Sequence, residues 1–193
     1  MWVRRAAIRP IPALARIEES VLEALEREVS ADLDAEGATS QLFDAALERF
    51  EQEQPVLFGH LDDALTRTKS EPALGFGYFL ILSTYLAFER AFGGSLEEIS
   101  ALNIESVEAS LGLDEEIRMA DPAEVVESDD VIAMDQPYLL AFIQDHVEAA
   151  LEAHANVVDV DEVHRVYRAV LVEVLCLSYA VQSPGGASNE VLA

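Results

Sequence analysis

Between Glu71 and Glu89 the chain runs for 17 residues without a charge. Its central part reads ALGFGYFLILSTYLAF, from Ala73 to Phe88, and it limits the possible folds more than any other stretch. As a helix it is roughly 26 Å long, slightly short of a hydrocarbon core of about 30 Å. Two glycines, a serine and a threonine lower its hydrophobicity further. Steps of four and three along a helix place Ala73, Gly77, Leu80, Thr84, Ala87 and Ala91 on one face. All but Leu80 are small, whereas the opposite flank carries Tyr78, Phe79, Leu82, Tyr85 and Leu86. A stripe of small residues lets a neighbouring helix approach closely. The stretch is therefore expected to be a central bundle helix, with the small-residue stripe as a core or subunit-interface seam, and not a membrane span.

The rest of the chain supplies amphipathic helices to surround it. A first helix is predicted over about 12–31, with Ile17, Val21, Leu22, Leu25 and Val29 as its apolar stripe. A second follows a cap at Thr39 or Ser40, and Pro55 opens a third that reaches about Thr68. Ser70 starts the central helix and Gly93–Gly94 ends it. Ser95 and Glu98 have capping-box spacing and predict one or two short helices, with a second start near Ser106. One or two helical turns are expected near 122–128. Pro137 then opens a long helix to about Ala155, and Asp159 or Asp161 starts the last one, to about Gln182. Nothing reads as a strand or a tight hairpin. The fold expected is all-α: a single-domain bundle of six or more helices over 12–182, with helices 73–92 and 160–182 central and packed on each other. Residues 1–11 are expected as a basic extended arm (Arg4, Arg5 and Arg9, with Arg16 just beyond) and 183–193 as a flexible tail.

One internal echo stands out. Glu53-Gln54-Pro55 and Asp135-Gln136-Pro137 both open an amphipathic helix that is followed by a long, very apolar one. Two copies of a helix pair around a pseudo-twofold axis would explain this; so would coincidence, since acid-Gln-Pro is a good helix start.

Charge narrows the functions. The net charge is −25, with 12 Lys and Arg against 37 Asp and Glu, and Lys69 is the single lysine. Such a chain repels nucleic acid and anionic membrane surfaces, so neither is expected as a partner. A high-salt cytoplasm, a GC-rich genome, or a basic protein partner would each account for the acidity. Cys176 stands alone among apolar neighbours, which excludes an internal disulfide and suits a buried small hydrophobe. No nucleophile elbow, phosphate-binding loop or Cys-x-x-Cys motif occurs.

Four histidines carry what metal chemistry is available: His60, His146, His154 and His164. His146 and His154 lie two turns apart, and Asp161 and His164 share a helical face. The di-iron pattern of helical bundles wants more, a Glu-x-x-His on each of two helices plus further glutamates. His146, His154, Asp161 and His164 are therefore weak metal candidates. The function expected is a non-enzymatic, cytoplasmic, acidic helical interaction or regulatory module without cofactor, self-associating as a homodimer or engaging a protein partner. The alternatives are a helical metal-binding protein or metalloenzyme using those His, Asp and Glu side chains, and an acidic decoy for a basic partner protein.

Overall fold

The computed structural model describes residues 7–33, 41–120, 127–153 and 159–183. Eight α-helices form among them: α1 (Glu19–Leu33), α2 (Gln41–Glu53), α3 (Pro55–Leu65), α4 (Glu71–Phe92), α5 (Ala101–Ala120), α6 (Ser128–Asp135), α7 (Pro137–Ala153) and α8 (Val160–Ala180). The fold is an all-α bundle built on α4 and α8, which make the most extensive helix–helix contact.

These two helices run parallel. At their start, the Glu162 carboxylate of α8 accepts hydrogen bonds from the N–H groups of Lys69 and Ser70, both at 3.0 Å, just ahead of α4. At their far end, the chain leaving α8 pairs with the chain leaving α4. Glu97 N–H bonds Ala180 O at 2.9 Å, and Gln182 N–H bonds Ser95 O at 2.8 Å. Ser70 caps α4 through its side chain, and Gly93, at φ 45°, ends it in a backbone region open to glycine.

α4 is long and apolar enough to cross a membrane, yet 61% of that stretch is buried inside this fold. Ala73, Gly77, Leu80, Thr84 and Ala87 are buried, and Ala91 is half-buried. Gly77 marks the tightest approach: a Cβ there would lie 2.6 Å from Leu65 Cδ2 of α3 and 3.4 Å from Val166 Cγ2 of α8. The C-terminal half of α8 is likewise covered by its own chain, from Ala169 to Ser178.

The echo in the sequence is a duplication of structure. Gln54 and Gln136, 82 residues apart, adopt nearly the same backbone conformation (φ −134°, ψ 55° and φ −124°, ψ 59°). The Gln54 amide donates to Glu97 O at 2.9 Å and accepts from Ile99 N–H at 2.8 Å. The Gln136 amide donates to Ala15 O at 2.6 Å and accepts from Ile17 N–H at 3.0 Å. Glu97 and Ile99 lie the same 82 residues beyond Ala15 and Ile17. The spacing holds through the core, where Leu22, Leu25, Val29, Phe50, Leu57 and Leu61 are matched by Ile104, Val107, Leu111, Ile132, Leu139 and Ile143, all buried. The chain is thus two halves, each an extended strap followed by four helices. The glutamine of each half holds the strap of the other, the reciprocal contact expected of an isologous pair.

The straps correct three expectations. Residues 12–18 do not belong to the first helix: apart from one 3₁₀ turn, Ala13–Ala15, they run extended, because Gln136 takes the backbone groups of Ala15 and Ile17. Residues 95–99 do not open a helix at a capping box, because Gln54 and the α8 exit take their backbone groups. No second start occurs near Ser106; Ala101–Ala120 is one continuous helix, capped by Ser100 and Asn103. The arm is held on its own chain from Ala7 onward, where Ala7 N–H bonds Asp114 and Ile11 N–H bonds Asp135. Residues 1–6, the caps at Thr39 and Ser40, residues 122–126 of the turns expected at 122–128 and the tail from 184 lie outside the described residues; the described helix there starts only at Ser128, capped by Glu127, and runs on to Asp135.

Candidate functional site: a groove at the strap crossing and the polar layer beneath it

The parallel packing of α4 and α8 fixes what lies at its middle. Gly77 meets Val166, and two turns further along each helix stand Thr84 and Glu173, at one level of the pair. Both are completely buried, as is Ser83. The hydroxyls of Ser83 and Thr84 and both carboxylate oxygens of Glu173 have no hydrogen-bond partner among the described residues. Burial drives the Glu173 carboxyl well above the ordinary carboxylate range, which favours its neutral form. An unpaired polar group in a core costs about 1–3 kcal/mol, so this layer is a local weakness at the centre of the fold.

One turn beyond Glu173, Cys176 reaches the floor of a groove of about 600 Å³. Both straps, α5 and the exit of α8 enclose it, with Arg9, Leu14, Glu97, Ser106 and Tyr179 among its walls. The Arg9 guanidinium lies 4.0 Å over the Tyr179 ring, and the Tyr179 hydroxyl donates to Arg9 O, which pins the first strap to α8. The Cys176 thiol is pushed up to about 12, chiefly by burial. It is a neutral thiol at any physiological pH and a poor nucleophile.

The described histidines are dispersed. His60 lies 3.3 Å from Glu108. The His146 ring packs between Phe142 and Phe79, with centroids 4.4 and 5.1 Å away, and its Nδ1 lies 2.8 Å from Phe142 O. His164 and Asp161 are exposed; the backbone N–H of Asp161 is bonded by the Asp159 cap. His154 lies outside the described residues. Among the described residues no group of three or more His, Cys, Asp or Glu is placed to hold a metal.

Sequence reasoning passed over three features of this region. Glu173 follows Val170 by three residues and precedes Leu177 by four, so it sits on the apolar stripe of α8, a signal that was available. Gln54 and Gln136 were read as helix starts, although Leu14 and Ile17 recur as Leu96 and Ile99 at the spacing of the glutamines. Leu102 and Leu113 share one stripe only because Ala101–Ala120 is a single helix, and the start expected near Ser106 divides them. Comparison with protein-family models, with curated proteins and with solved structures returns no match.

Proposed function

We propose that this chain is a non-enzymatic, cytoplasmic interaction module whose working surface is the groove at the strap crossing and the helix α5 beside it. The observation that carries the reading is the groove itself: an open cleft of about 600 Å³, held by two pinned straps. Its walls offer hydroxyls, carboxylates, backbone and the Arg9 guanidinium, which is engaged with the Tyr179 ring, and this suits recognition. Self-association, expected from a surplus of apolar faces, loses that support because α4 and the C-terminal half of α8 are covered within one chain. The acidic surface also sets like charge against like charge in any dimer. A different protein, basic where this chain is acidic, fits better.

Recovery of the full-length chain from its own host tests the reading. One basic protein retained in stoichiometric amount at low salt and released at high salt is the expected result. No retained partner, or a stoichiometric metal in protein prepared without a histidine tag, overturns it.

A further inference from the structure

We propose that the exposed face of α5, together with the adjoining groove, docks a cationic amphipathic helix of a partner protein. This rests on the interaction-module reading and names its surface and partner class.

α5 carries two large apolar side chains into solvent, Leu102 at 75% and Leu113 at 51% exposure. Eleven residues are three helical turns, so the two lie on one stripe about 16 Å apart. Between them are Ser106 and Ala109, small and exposed, and the half-buried Ile117 continues the stripe. The groove runs along one side, with Asn103 and Ser110 of α5 in its wall and Glu97 and Glu98 across it. On the other side stand Glu105 and Glu116, both exposed. The surface is therefore an apolar seam between two acidic margins, and Arg9, also in the groove wall, is laid over the Tyr179 ring.

The duplication supplies an internal control. The positions of α1 that correspond to Leu102 and Leu113, 82 residues earlier, are Ser20 and Ala31. The two halves share their buried residues, yet only the second half places leucines on this face. Packing does not demand them, because α1 has the same place in the fold without them.

Charge selects the occupant. A second copy would bring Glu105 and Glu116 against their own counterparts, and nucleic acid or an anionic membrane would meet the same repulsion. A helix with an apolar stripe and flanking Lys or Arg satisfies both the seam and its margins, and the spacing of the leucines matches the anchors of a helix laid in a groove.

The test measures fluorescence anisotropy of a labelled Leu/Lys amphipathic peptide of about 18 residues, long enough for the seam, against the full chain. A scrambled peptide of the same composition is the comparison. Replacing Leu102→Ser and Leu113→Ala together gives α5 the residues of α1 and, at these exposures, leaves the melting curve unchanged. The double variant is expected to bind the amphipathic peptide about tenfold more weakly, the loss typical of anchor residues. The scrambled peptide should bind both proteins equally weakly. A second variant, Glu105→Lys with Glu116→Lys, should lose the peptide with the seam intact. Equal binding of both peptides, or no loss in either variant, overturns the proposal. So does a wild-type dimer by light scattering that the leucine variant dissociates, since the occupant is then a second copy. If the leucine variant still retains the basic host protein, the interaction reading stands and this face is wrong; if the wild type retains none, the broader reading has failed.

Discussion

At the scale of single residues, Glu173 is the least economical choice in the molecule. An apolar side chain would fill its place between Val170 and Leu177 without the desolvation that raises its carboxyl. The sign of the pH effect follows from that direction. The folded state holds the Glu173 proton more tightly than the unfolded chain, where glutamate titrates near about 4.3. The favourable contribution of the proton is full below that value and is lost as pH rises toward the folded-state pKa. Glu173→Gln keeps the shape and cannot ionise. Its melting temperature should therefore equal the wild type near pH 4 and exceed it by several degrees at pH 8, measured as a difference so that the other acids cancel. A gap that does not change with pH would mean that Glu173 finds a partner for its charge. The residue was legible in principle, because a glutamate on an apolar stripe is visible in the sequence. Its solitude was not, because the unpartnered Ser83 and Thr84 come from a helix about ninety residues away in the chain.

At the scale of elements, α4 shows which features local pattern can specify. Its start, its glycine stop and its small-residue face all follow from the sequence, since each depends on groups within a few turns. The packing of α8 on α4 is expected from the sequence as well; the entry of α3 into the same face through Leu65, beside Val166 of α8, is not. The two helical glycines of α4 separate these causes. Nothing lies within 4 Å of a Cβ added at Gly75, so Gly75→Ala should gain about 0.5–1 kcal/mol from helix propensity alone. Gly77→Leu must drive a whole side chain between α3 and α8, and should cost at least about 1–3 kcal/mol as overpacking. Chemical denaturation of both variants checks the contrast. If Gly77→Leu were as stable as the wild type, the close approach of the three helices would carry no energetic weight. The extended straps show the opposite limit: residues 12–18 and 95–98 read as helix starts, and distant glutamine side chains hold them extended instead.

At the scale of the whole molecule, the charge of −25 and the duplication act against each other. Self-repulsion is screened by salt, so the melting temperature should rise from dilute buffer to molar NaCl; loss of the fold in dilute buffer would mark a chain adapted to molar salt. What resists the repulsion is a bundle whose halves are strapped to each other. Gln54 and Gln136 each satisfy one backbone donor and one acceptor of the opposite half. Truncation to alanine leaves both groups unpaired, buried at Ile99 N–H, Ile17 N–H and Ala15 O and partly buried at Glu97 O, which costs about 2–4 kcal/mol on the usual penalty for such groups. Gln136→Ala should cost somewhat more, because its amide also donates to the buried Ser178 hydroxyl at 3.2 Å. The exchange of straps makes the consequence directional. Hydrogen exchange of Gln54→Ala should lose protection at Ile99, in the second half, and keep it at Ile17; Gln136→Ala should do the reverse. Both variants should still melt in one transition, because α4 and α8 join the halves along their length. Loss of protection confined to the half that carries the mutation would show the halves to be independent units, and the reciprocal strapping to be without consequence for stability.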